Sequence, residues 1–120
     1  MASTQKTFAL ILGIVLLVVG IIGYFENPLV GEIGFFGSNN YQNILHIIAG
    51  LAGIWVGTKG EGPGYNMTLG WIGIILGVIG FIPQIEPLLF QYLSINTNIT
   101  ILHAVIGIIA LIVFYGTSKD

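Results

Sequence analysis

The sequence predicts an all-α membrane fold: a four-transmembrane-helix bundle built from two parallel-repeated helical hairpins, with both termini cytoplasmic. Three observations predict it. Only 7% of the 120 residues are charged and 55% are hydrophobic, a balance that an ordinary soluble domain does not show. Four long apolar runs lack the inside-outside alternation of barrel strands, and a helix is the other structure that satisfies its own backbone in lipid. The second half of the chain also echoes the first. Residues 1–120 therefore read as one membrane domain, with hairpin repeat one at 7–58 and hairpin repeat two at 67–117.

The first helix is read at Phe8 to Phe25, 18 uncharged residues that cover roughly 27 Å at about 1.5 Å per residue. Lys6 precedes this run as it would in a signal peptide. The run is long for one, however, and ends in Ile22-Gly23-Tyr24-Phe25-Glu26 with no Ala-x-Ala site, so an uncleaved helix is expected. The second helix is read at Tyr41 to Gly57. The third runs from Thr68 to Ile82 and stops at Pro83, whose ring cannot continue the hydrogen-bond ladder. The fourth is Ile99 to Tyr115.

All three lysines, Lys6, Lys59 and Lys119, fall on one side of this layout, and the positive-inside rule then places both termini in the cytoplasm; the cell membrane is the expected location. Glu26, Glu32 and Glu86 lie in the two opposite loops, which contain no Lys or Arg. Those loops, Glu26 to Asn40 and Pro83 to Thr97, are rich in Leu, Ile, Phe and Tyr. They read as interfacial segments on the outer face.

A shift of sixty places Gly13 on Gly73, Gly20 on Gly80 and Glu26 on Glu86. After a gap, Ile44-Leu45-His46 matches Ile101-Leu102-His103, each His followed four residues later by Gly50 or Gly107. Two copies of one hairpin account for this pattern, and copies that start on the same side are related by an axis along the membrane normal. Helical spacing puts Asn39, Asn43, His46, Gly50, Gly53 and Gly57 on one stripe, and Asn96, Thr100, His103, Gly107 and Ala110 on another. Gly70, Gly73, Gly77 and Gly80 form a further small-residue track. Such tracks let helix backbones approach closely.

The segments Asn39-Asn40-Tyr41-Gln42-Asn43-Ile44-Leu45-His46-Ile47-Ile48-Ala49-Gly50 and Asn96-Thr97-Asn98-Ile99-Thr100-Ile101-Leu102-His103-Ala104-Val105-Ile106-Gly107 carry a resemblance. The chain resembles, over nearly its whole length, a family of uncharacterised bacterial four-helix integral membrane proteins, a domain of unknown function. That family has an Asn or Asp shortly before a Leu-His or Val-His pair and a Gly four residues after the His. Thr100 stands where the family's acidic or amide residue would be. The resemblance implies a membrane location and this fold, and no catalytic role.

Composition excludes several function classes. The absence of Cys removes disulfides, thiolate metal sites and a Cys nucleophile, and so few basic residues remove nucleic-acid binding. No Ser-His-acid spacing, His-Glu-x-x-His or phosphate-binding loop occurs, so catalysis is not expected. Asn66-Met67-Thr68 and Asn98-Ile99-Thr100 match the glycosylation pattern by chance. His46 and His103 are the titratable groups within the spans, and an intramembrane ionisable residue is a functional hypothesis by default. The leading reading makes Asn39, Asn43, His46, Asn96, Thr100 and His103 a structural polar clip between hairpins, in a protein of structural or assembly role. Its partners are then the lipid bilayer and a second copy or a larger membrane complex. The first alternative makes His46 and His103 cofactor ligands, holding a b-type haem or, with Glu26 and Glu86, a divalent metal. The second is a small ion or proton conduit, which needs polar groups at several depths.

Overall fold

The computed structural model describes residues 3–119; the outermost residues of the 1–120 domain reading, Met1, Ala2 and Asp120, lie outside the described residues. The described chain is all-α apart from one pair of two-residue strands. Its elements in order are α1 (Thr4–Ile22), β1 (Val30–Gly31), β2 (Phe36–Gly37), α2 (Asn40–Thr58), α3 (Gly62–Ile79), α4 (Glu86–Leu93) and α5 (Thr97–Gly116).

Capping side chains explain most of the differences from the boundaries that hydropathy predicts. α1 begins four residues before Phe8, because the Ser3 side chain accepts from the Lys6 N–H and closes the first turn. It ends three residues before Phe25, where the Asn27 Nδ2 donates to the Ile22 carbonyl at 2.8 Å. Asn39 and Asn96 cap α2 and α5 in the same way, accepting from the backbone N–H of Gln42 and Ile99, each at 3.0 Å. α3 starts six residues before Thr68, at Gly62 with Pro63 in its first turn, where a missing N–H costs nothing.

The loops that follow α1 and α3 differ in build. Between α1 and α2, Asn27 organises the chain: its Oδ1 accepts from the Leu29 and Val30 N–H groups, and its Nδ2 donates to the Ile22, Phe25 and Val30 carbonyls. β1 and β2 then pair in parallel, Val30 opposite Phe36 and Gly31 opposite Gly37. Between α3 and α5 the corresponding segment contains α4, an eight-residue helix with Pro87 in its first turn. It ends at Ser94, whose φ of 56° lies in the left-handed region.

α1 packs chiefly on α2, and α3 chiefly on α5. Both pairs cross at glycine. A Cβ on Gly13 would sit 2.6 Å from the Ile54 backbone nitrogen and 2.7 Å from the Gly50 carbonyl oxygen. A Cβ on Gly107 would sit 2.7 Å from the Ile74 nitrogen and 2.8 Å from the Gly70 carbonyl oxygen. The other atoms at these contacts are backbone, so no side chain there can rotate away.

The buried apolar cluster is small, comprising Ala9, Leu12 and Tyr65, while Ile14, Val18, Ile48, Trp55, Ile75, Val78, Ile108 and Ile112 are exposed on the four long helices. This reverses the arrangement of a soluble protein. α1, α3 and α5 are long and apolar enough to cross a membrane. α2 has 19 residues as well, but Asn40, Gln42, Asn43 and His46 occupy its first two turns.

Gly13→Ala and Gly107→Ala are expected to destabilise the protein by about 1–3 kcal/mol through overpacking. Gly64→Ala, with open space around the added Cβ, is expected to be neutral or to stabilise by up to about 1 kcal/mol. Thermal unfolding in detergent compares the three.

Candidate functional site

The two helical pairs meet along a seam that carries polar groups at four levels. At the end where α1 and α3 begin and α5 finishes, Gln5 and Asn66 are completely buried. Asn66 Nδ2 donates to the Gln5 carbonyl at 2.9 Å and to its Oε1 at 2.8 Å. Gln5 Nε2 in turn donates to the Val113 carbonyl at 2.8 Å, the Phe114 carbonyl at 3.2 Å and the Thr117 hydroxyl at 2.8 Å. One carboxamide of α1 thus joins α3 to the last turn of α5. It satisfies carbonyls that the helix end leaves unpaired.

One level further along, Tyr65 of α3 donates its hydroxyl to the Ala49 carbonyl of α2 at 2.8 Å, and its ring packs against Ala9 and Leu12. The third level is the histidine pair. His46 and His103, each the seventh residue of its helix, face each other across the seam with ring centroids 6.1 Å apart and planes at 62°. The Nδ1 atoms of both rings are buried and have no hydrogen-bond partner among the described residues.

The fourth level closes the opposite end by reciprocal donation. Asn39 Nδ2 reaches the Tyr92 carbonyl at 2.9 Å, and Gln42 Nε2 reaches the Leu93 carbonyl at 2.8 Å. In return Asn96 Nδ2 reaches the Phe35 carbonyl at 3.2 Å, with Asn98 donating to the same oxygen at 2.9 Å. Each N-cap asparagine therefore uses its oxygen on its own helix and its NH2 on the loop of the other helical pair. Gly37 packs so closely on the Ser94 carbonyl that no side chain fits between the two loops.

The structure brings some of the sequence-predicted residues together and leaves others apart. Asn43, His46, Gly50, Gly53 and Gly57 form one buried row on α2. On α5, Thr100, Gly107 and Ala110 are buried. On α3, Gly70, Gly73, Gly77 and Gly80 face Leu111, Gly107, Ala104 and Thr100. The polar groups expected to partner the histidines bond elsewhere: Asn43 accepts from the Ser38 hydroxyl at 2.6 Å, and Thr100 donates to the Asn96 carbonyl of its own helix at 2.9 Å. Glu26 and Glu86 are exposed and stay outside the pair. Glu26 and Glu32 instead line a surface hollow of about 710 Å³ formed by 23–34, which neither histidine lines. Among the described residues, no three His, Cys, Asp or Glu side chains are placed to hold one metal ion. The four-ligand set of His46, His103, Glu26 and Glu86 is therefore not assembled.

Sequence reasoning missed Gln5, Gln42, Asn66 and Tyr65 as seam residues. A signal for Asn66 was present: the glycine track of α3, carried one turn back from Gly70, arrives at Asn66. Gln5 lies eight residues before Gly13, on the same face of α1.

A family model described as a domain of unknown function (DUF4383) matches residues 6–115. No curated protein and no solved structure matches.

Asn66→Leu should cost about 1–3 kcal/mol, because it removes both bonds to buried Gln5 oxygens. His46→Leu should change stability by less than about 1 kcal/mol, since it removes a group that has no protein partner. Unfolding curves of the two variants in one detergent make the comparison.

Proposed function

We propose that this chain, which belongs to the DUF4383 family, is a multi-pass cell-membrane protein with a structural or assembly role and no catalytic activity. In this reading α1, α2, α3 and α5 all cross the bilayer, the repeated hairpins 7–58 and 67–117 form one bundle, and both termini are cytoplasmic. The observation that carries it is the use made of the buried carboxamides. Gln5, Gln42 and Asn66 all donate to the other half of the chain, so three buried carboxamides hold the two halves together. Apolar helices in lipid gain little from burying one another, and interhelical hydrogen bonds and close backbone packing take over that task.

The placement of charge supports the orientation. Lys6, Lys59 and Lys119 all flank the helix ends that lie on the Gln5 side of the seam, and Glu26, Glu32 and Glu86 flank the other ends. The polar start of α2 fits the same reading, because Gln42 and Asn43 there are buried and hydrogen-bonded. The exposed aliphatic belt supports contact with lipid and with a second copy or a larger membrane complex. A furrow of about 250 Å³ between α1 and α5, lined by Phe8, Ile11, Leu12, Val15, Ile106 and Ile109, belongs to that belt.

Two measurements test the proposal. Because the chain has no Cys, single cysteines at Ile33, which is fully exposed in the outer loop, and at Lys59 report sidedness directly. Membrane-impermeant reagents should label them from opposite faces, and labelling from the same face overturns the four-span reading. Proteoliposomes of the purified protein should hold proton and monovalent-cation gradients, and its visible spectrum should lack a Soret band. A flux or a haem band that disappears in His46→Ala overturns the structural role.

A further inference from the structure

We propose that His46 and His103 form a two-coordinate site for a monovalent d10 metal ion, Cu(I) in the reduced cell, between α2 and α5. The inference concerns a ligand and stands apart from the structural role proposed above.

The chain has two imidazoles, one in each half, and the fold brings them to 6.1 Å between ring centroids. Their separation excludes direct contact between ring nitrogens. An N–H···N bond of about 3.0 Å holds imidazole centroids no more than roughly 5.3 Å apart. A shared metal at about 2.0 Å from one nitrogen of each ring allows roughly 6.3 Å for a linear arrangement. The observed separation therefore fits a nearly linear N–metal–N unit, and the broad second side-chain torsion of His lets each ring turn a nitrogen towards the shared position. Both Nδ1 atoms are buried and unpartnered, and His46 itself is only 9% exposed. Gln42 Oε1 and Asn66 Oδ1 are also buried without a partner, but only the two imidazoles pair ligating nitrogens across the seam, and an ion there would complete both.

The surroundings select the class of ion. No third His, Cys, Asp or Glu among the described residues joins the pair to make a metal site, which leaves unfilled the four-ligand set that zinc takes in closed sites. Cu(I) and Ag(I) are d10 ions that accept two nitrogen donors in line, and imidazole is a good ligand for copper. Charge acts in the same direction. Two neutral imidazoles leave the whole ionic charge to be buried, and Born desolvation grows with its square, so a divalent ion costs about four times as much as a monovalent one of equal radius. The lysines stand at the opposite helix ends, so no ammonium group competes with the ion at this level.

Ag(I) is the air-stable probe. The full chain, purified in detergent and chloride-free buffer, is titrated with silver nitrate by calorimetry, and retained silver is counted by mass spectrometry after gel filtration. Cu(I) under ascorbate is measured in competition with bicinchoninate, and Zn(II) is run in parallel. The expected result is one equivalent of Ag(I) or Cu(I) per chain, with affinity lowered about tenfold or more in His46→Ala and in His103→Ala. Met67→Leu, which removes the thioether of α3, should bind as the unsubstituted protein does. His46→Gln and His103→Gln repeat the comparison if the alanine variants do not fold, with circular dichroism reporting the fold. Silver retained equally by a double His variant, no stoichiometric binding by the unsubstituted chain, or tighter binding of Zn(II) than of Ag(I) overturns the proposal. X-ray absorption on the copper-loaded protein should show two nitrogen neighbours and no more; three or four would overturn the linear site.

Discussion

The outside of this protein is as apolar as its inside, so burial of apolar surface cannot decide which helix packs against which. Ile14, Val18, Trp55 and Ile112 are exposed, while the buried apolar cluster comprises Ala9, Leu12 and Tyr65. Two other interactions must therefore make the choice. Backbone-to-backbone approach at Gly13 with Gly50, and at Gly73 with Gly107, selects α2 for α1 and α5 for α3, because only glycine permits that distance. Amide donors then select how the two pairs face each other. The first interaction is set by shape and the second by direction, so together they define one arrangement where hydrophobicity alone would allow many.

The seam that results is polar at both ends and at the histidine level, with Tyr65 between them. Polarity at several depths is what a conduit would need, yet the amide donors at the two ends are engaged. Gln5 and Asn66 bond to each other and to α5, and Gln42 bonds across to the α4 end. The histidines differ in that, among the described residues, no hydrogen bond reaches either ring. They lie between two closed ends, which makes the centre of the seam a place for a small bound species more than a place of passage.

Much of this was legible in the sequence, for reasons that can be stated residue by residue. Apolar runs of helical length gave the all-α class, and offsets of three and four placed Asn43, His46, Gly50, Gly53 and Gly57 on one row that is buried. Hydropathy misplaced the starts of α1 and α3, because Gln5 and Asn66 are polar and their burial depends on a partner about sixty residues away. It also gave no sign of α4, whose helix is short and has a proline in its first turn, or of the Asn27 turn, where one side chain organises backbone groups on both sides of it. The histidine pairing itself was only half readable: periodicity gave each ring a face and a level, but not the partner's distance. The expected asparagine partners of the rings are taken by caps and by Ser38, a competition between local and long-range bonds that periodicity does not register.

The reciprocal asparagine bonds at the Asn39 and Asn96 end have a consequence for how copies of the chain avoid mixing. Each donor belongs to one helical pair and each acceptor to the other, so a pair from a second molecule offers the same groups. What keeps the exchange within one molecule is the short link from Lys59 to Glu61, which joins α2 to α3. A tether that short holds the two halves at an effective concentration of order millimolar or above. The link therefore acts as an address, telling each half which partner is its own, and its length governs whether the fold closes on itself or trades halves with a neighbour.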